Sequence, residues 1–284
     1  MGSCDSPSAT DSSAAPDFIS LEEARSNNVS RIVAEQYRNS VQVLDDPYGI
    51  ESVETFFDSS NTLVVADSTA AAQLRGASLA ISQHAPMVTY DDSVHGAIIK
   101  LIDDLRIQRV VTIGDVGIAP STGEVIIFPD PGTDKSLGEM TAFEYSKQMV
   151  RNHQEMPFAV ANLQPNERVE LRPEWEVLDI VESGRVPALP AQSRRDGQMA
   201  PVIVATPTTP VVNIVNARSF GGNVHILPDA DPATNESAMA KVIGLADGPL
   251  IALGAEFESP TVLAQRIREG EEKFLGEKST RPSE

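Results

Sequence analysis

Asp67, Thr89, Asp91, Asp92 and Asp115 are the residues whose types and spacing could do chemistry, because each stands at or just past the end of a short apolar run. If those runs are parallel strands, their carboxyl ends share one edge, and open α/β sheets bind ligands there. Thr89, Asp91, Asp92 and Asp115 are therefore the candidate ligand-binding residues. Asp67, Asp92 and Asp115 are the candidate oxygen ligands for a divalent cation such as Mg²⁺ or Ca²⁺, the one cofactor the pattern allows. The same residues have a purely structural use, since Asp just before a helix is a favoured N-cap. His95 follows closely enough to share the edge, although a partly exposed helical histidine is the usual case.

Other chemistries lack their signatures. The four histidines, His84, His95, His153 and His225, fall in neither H-x-x-x-H nor H-E-x-x-H spacing, which argues against zinc. No G-x-S-x-G elbow or G-x-x-x-x-G-K-[ST] loop occurs, and Gly114-x-x-Gly117 and Gly221-Gly222 do not complete G-x-G-x-x-G. No residue is assigned a catalytic role. Trp175, the sole tryptophan, reads as a packing anchor.

The elements that must position the aspartates occur twice, over 63–115 and 202–255, each with three apolar runs separated by two helix-like stretches. Sliding one copy over the other by 139 residues pairs Val64 with Ile203, Ala66 with Ala205 and Met87 with Ile226. After a one-residue insertion, Val111 meets Ile251 and Gly114 meets Gly254. Self-similarity at a fixed period constrains the architecture before any motif does. Strand–helix–strand–helix–strand with short connections requires right-handed crossovers and a parallel sheet. The second copy offers only Asp231 and Glu256 near the corresponding edge.

Around the copies, the pattern predicts two helical stretches between Phe18 and Phe57, the first capped by Ser20 with Glu23 at capping-box spacing. It also predicts a further strand near 124–128, a helix over 141–153 and a final helix from about Thr261, with Ser259 before Pro260 marking its start. Residues 164–201 are Pro-rich and poor in pattern, so the division falls there: a tether over 1–17, a first α/β unit over 18–163 and a second over 164–284. The expected class is α/β, with two similar open, doubly wound, Rossmann- or flavodoxin-like parallel-sheet units.

The chain has 284 residues, no run approaching a membrane span and a formal net charge of −19, from 41 acidic against 22 basic residues. Such a surface repels phosphate backbones, and the densest basic cluster, Arg194 and Arg195 near Arg185, sits in the Pro-rich segment, so nucleic acid is not an expected partner. A single cysteine, Cys4, excludes an intramolecular disulfide. It is followed by DSPSATDSSAAPD, a small polar stretch with almost nothing to bury. This reads as the start of a mature bacterial lipoprotein, lipidated on Cys4 and held to the membrane by a flexible tether, with Met1–Ser3 a remnant in place of an export signal. Met1-Gly2-Ser3-Cys4-Asp5-Ser6 also fits the N-myristoylation pattern, and a vector-derived scar with an idle thiol is the third reading.

Leu63-Val64-Val65-Ala66-Asp67, the Ala-rich stretch with Ala70-Ala71-Ala72 and Ala77-Ser78-Leu79-Ala80, then Ala85-Pro86-Met87-Val88-Thr89 and Arg109-Val110-Val111-Thr112-Ile113-Gly114-Asp115 resemble the cell wall-binding repeat 2 family. The second copy follows in outline, with Pro228 in place of Thr89. The resemblance implies a noncatalytic module that associates with cell-wall polymers and carries or scaffolds another activity. Together with Cys4 it resembles actinobacterial envelope proteins. The expected function is thus a noncatalytic extracytoplasmic lipoprotein that binds the wall, or an envelope protein, through duplicated α/β units. The alternative is a metal-dependent enzyme or small-ligand receptor built on the acidic edge of the first unit.

Overall fold

The structure, a computed structural model, describes residues 19–181, 186–193 and 199–279. Its strands in chain order are β1 (Val41–Leu44), β2 (Thr62–Ala66), β3 (Met87–Thr89), β4 (Arg109–Ile113), β5 (Ser121–Thr122), β6 (Ile126–Pro129), β7 (Ser146–Val150), β8 (Val169–Pro173), β9 (Val202–Ala205), β10 (Val224–Ile226) and β11 (Leu250–Leu253). Its α-helices are α1 (Leu21–Val29), α2 (Ile50–Phe56), α3 (Ala70–Gln83), α4 (His95–Asp104), α5 (Asp134–Thr141), α6 (Met156–Asn162), α7 (Val211–Phe220), α8 (Glu236–Val242) and α9 (Pro260–Ser279). The fold is mixed α/β, with parallel-strand sheets flanked by helices.

The first sheet has the order β3-β2-β4-β6-β5, parallel except for β5. Strand β2 is buried along its whole length, as its continuous apolar run requires of a strand covered on both faces. Helix α3 starts where Thr69 accepts from the Ala72 N–H and ends on His84 in the left-handed region. Every one of its residues is buried, so its alanines serve close packing on several sides at once.

The second sheet has the order β1-β11-β9-β10, all parallel. In both large sheets the first strand of the sequence copy lies between the second and third, the order of flavodoxin-like doubly wound sheets. The fourth strand comes from opposite directions along the chain. It is β6 for the first sheet, and for the second it is β1, which precedes the first copy in sequence. Residues 41–44, between the two expected helical stretches, form a strand that the pattern did not predict and pair with Leu250–Leu253. Helix α1 likewise packs on α8, with Leu21 and Ala24 in one core with Met239 and Leu250. A division of the chain at 163/164 therefore does not separate the two sheets.

The interval between the copies holds a third sheet, β7-β8, joined through α6. The expected helix over 141–153 is not there: α5 stops at Thr141 with Ala142 at φ 59°, and the chain turns into β7. The Pro-rich segment hides β8, whose Glu170 is buried by an ion pair instead of being excluded from a core. Helices α3, α6 and α7 pack on one another at the centre, and each lies on the edge strand of another sheet: α7 on β3, α3 on β8 and α6 on β10.

Candidate functional site

At the carboxyl edge of the first sheet Asp67 and Asp91 are engaged with backbone. Asp67 accepts from the N–H and hydroxyl of Thr69 through Oδ1, at 2.8 and 2.5 Å, and from the Asp115 N–H through Oδ2 at 2.7 Å. It lies against Gly114, whose φ of 79° and missing side chain make the contact possible. Asp91 caps the short 3₁₀ turn at Asp92–Val94, accepting from the Ser93 N–H and hydroxyl, which hold its carboxyl below the usual range. Thr89 is buried; its hydroxyl accepts from Gln73 Nε2 at 3.1 Å and its N–H donates to Tyr48 O.

Asp92 faces another functional group. It accepts from the Tyr90 hydroxyl at 3.0 Å, and that hydroxyl lies 3.4 Å from His95 Nδ1. Partial desolvation, then the Asp92 hydrogen bond and the charges of Asp92, Asp91 and Asp115, raise the Tyr90 phenol above its ordinary value. It therefore stays protonated and acts as a donor. Among the described residues no three carboxylates, imidazoles or thiols converge as a metal site needs. The candidate cluster of Asp67, Asp92 and Asp115 does not form among the described residues, because Asp67 is taken up by Thr69 and the Asp115 N–H, and Asp92 turns to Tyr90.

The second sheet carries a counterpart. Glu256 Oε1 accepts from the hydroxyls of Thr206 at 2.5 Å and Thr209 at 2.7 Å, and its carboxylate lies against Gly254, at φ 120°. Thr206 holds the place that Asp67 has in the first copy, and Gly254 that of Gly114. Each edge thus has one carboxylate seated on the glycine after the third strand, contributed from the first strand in one sheet and from beyond the third in the other. Asp231 caps the 3₁₀ turn at Pro232–Thr234.

A site that the sequence did not announce lies beside the third sheet. A cleft of about 300 Å³ is walled by Met149, Pro173, Val177 and Ile180, with Arg75 and Glu170 at its base. Arg75 is 2 % exposed and pairs with Asp130 at 2.7 Å and Glu170 at 2.5 Å. Glu176 caps α3, accepting from the Ala70 N–H at 2.9 Å. Trp175 is no core anchor: it is exposed, its ring 4.5 Å from that of His153. The only sequence signal was the cluster of apolar residues interrupting a polar segment.

No family model, no curated protein and no solved structure matches the chain. The resemblance to the cell wall-binding repeat 2 family therefore stands on sequence pattern alone. No helix among the described residues is long and apolar enough to cross a membrane. Cys4, the tether and Arg185, Arg194 and Arg195 lie outside the described residues.

Proposed function

We propose that this chain is a noncatalytic extracytoplasmic scaffold, anchored through lipid on Cys4, which associates with a cell-wall polymer or an envelope protein through its duplicated α/β units. The observation that carries the noncatalytic reading is the commitment of the edge carboxylates. Asp67 has one oxygen bonded to Thr69 in its own loop and the other to the Asp115 N–H in the loop after β4, and Glu256 is held by two threonine hydroxyls. A general acid or base has to reach the proton it moves, and these groups are turned onto backbone or hydroxyls that fix the fold. The matching strand orders of the two large sheets support the duplicated-unit reading.

Two measurements test it. Purified protein should co-sediment with isolated envelope material at low salt, where charge effects are largest, and should fail to do so after the polymer is stripped. Absence of co-sedimentation under both conditions rejects wall association. Expression of the gene with its natural upstream region should give a membrane-bound product that a Cys4→Ser substitution releases; release of neither protein, or of both, rejects the anchor.

A further inference from the structure

The two large sheets share a feature that the small one lacks. β2 has β3 on one side and a further parallel strand, β4, on the other; β9 has β10 and β11 in the same places. β7 stands to β8 as β2 stands to β3, with a helix crossing between them, yet no described strand pairs with its other side. The ladder to β8 uses the Ser146 N–H, bonded to Arg168 O at 3.1 Å, and the Val150 C=O, bonded to the Glu174 N–H at 2.9 Å. Alternation along a parallel ladder then turns the N–H and C=O of Lys147 and Met149 toward the open side. Parallel sheets are ordinarily covered and rarely stop at two strands, so an exposed edge of this kind calls for a partner.

Both faces next to this edge are hollow. On the Lys147 and Met149 face lies the cleft walled by Val177 and Ile180, and on the Gln148 and Val150 face a groove of about 310 Å³ runs against Phe158 and Ala159 of α6. Exposed apolar side chains gather at the two: Met149 at 50 %, Phe158 at 42 %, Val177 at 88 % and Ile180 at 71 %. A strand laid along β7 would send alternate side chains into opposite hollows, while its backbone met the open N–H and C=O groups.

We propose that the open edge of β7 receives a parallel, apolar β-strand of a partner protein, in the place that β4 takes beside β2. The occupant has the character of β4 and β11, β-branched and aliphatic. Lys147 and Arg151, the exposed cations on this strand and its end, are already paired with Asp134 at 2.6 Å and with Glu155 at 3.2 Å, so the open backbone and the apolar hollows, not charge, select the occupant. A second copy would bring a second charge of −19, and a lysine on an edge strand discourages pairing between like chains. This inference goes beyond wall association and does not rest on it.

The test uses the full chain and a blocked peptide with the sequence of residues 107–115, which contains β4 and ends on Asp115. In the isolated protein the Lys147 and Met149 amides should exchange at least ~100-fold faster than those of Gln148 and Val150. Peptide should slow Lys147 and Met149 saturably and change the emission of Trp175, the sole tryptophan, which adjoins Glu176 and Val177 on the cleft wall. Peptide methylated on alternate amides should bind at least ~10-fold more weakly, as should a Met149→Pro variant that keeps its Gln148 and Val150 protection. Protection of Lys147 and Met149 in dilute isolated protein overturns the proposal, because the edge is then filled by its own chain. Protection that grows with protein concentration alone overturns it in favour of a second copy. Unchanged exchange at millimolar peptide overturns it outright. No envelope material is present, so failure here leaves the co-sedimentation result standing.

Discussion

Asn216, on α7, holds both the backbone N–H and the backbone C=O of Met87 on the edge strand β3, at 2.8 and 2.9 Å. A carboxamide has one acceptor and one donor group side by side, which is what an unpaired strand residue offers in reverse. Asn216 is fully buried and also donates to Ser52 Oγ at 2.8 Å, so one side chain ties the second sheet's helix to the first sheet's edge. Asn216→Leu keeps the volume but orphans the Met87 groups. The expected loss is about 3 kcal/mol of unfolding free energy, since each buried unsatisfied polar group costs ~1–3 kcal/mol. Urea denaturation measures it, and a loss under about 1 kcal/mol would show that this contact does not hold the two sheets together.

Arg75 should be as demanding. Burial is the largest influence on its guanidinium and opposes the charge, but the charges and hydrogen bonds of Asp130 and Glu170 together outweigh it and raise its pKa. Arg75→Met leaves the buried Asp130 without its cation and Glu170 with Arg172 alone, and breaking such a buried pair costs about 3–5 kcal/mol. Replacing Arg75, Asp130 and Glu170 together with Met, Leu and Leu should recover most of that loss, because desolvation offsets much of the Coulomb gain in buried clusters. Thermal melts of the single and triple variants decide. If the single variant melts with the parent, the cluster contributes nothing to docking the third sheet.

The sequence was most readable where the chain is simplest. Apolar runs such as Val202–Ala205 and Arg109–Ile113 are strands within a residue of their expected bounds, because a strand covered on both faces must be apolar throughout. β1 escaped because its burial is partial and its partner, β11, lies more than 200 residues away, so nothing local fixes it as a strand. β7 and β8 escaped for a different reason. β7 is exposed over four of its five residues, and β8 carries Glu170, whose burial depends on Arg75 elsewhere, and the half-buried Arg172, which pairs with Asp134. At the candidate edge, residue types were legible and roles were not. An aspartate after a strand looks the same in sequence whether it awaits a cation or, like Asp67, bonds the Asp115 N–H.

Gly114 tests the seat of Asp67. A Cβ there would lie 2.1 Å from Asp67 Oδ2, on a backbone at φ 79°. Gly114→Ala should cost about 2 kcal/mol or more, combining left-handed strain of ~1–2 kcal/mol with displacement of the carboxylate. In an Asp67→Ala background the clash disappears and only the backbone strain of ~1–2 kcal/mol is left. A double-mutant cycle should therefore show coupling between the two positions, and strictly additive effects would remove the claim that the carboxylate is seated on the glycine.

His225, on β10, should make the protein acid-sensitive well above the carboxylate range. Desolvation, followed by the charges of Lys241 and Arg31, lowers its pKa from 6.5 to about 4. The folded state thus keeps the imidazole neutral while the unfolded chain takes up a proton near pH 6.5, so the unfolded state binds more protons and stability falls as pH falls. The contribution is fully present well above pH 6.5 and is lost between there and about 4, with a limiting slope of about 1.4 kcal/mol per pH unit and a total of about 3.4 kcal/mol. Ordinary carboxylates titrate near 4, so the interval from pH 6.5 to 5 isolates the histidine, and a loss of about 2 kcal/mol is expected across it. His225→Phe should flatten that interval and leave only the carboxylate slope below about pH 4, as read by urea denaturation at each pH. An NMR titration of the native protein that places the His225 midpoint above pH 6 would sink the prediction, since an imidazole protonated that readily in the folded state provides no linkage to lose.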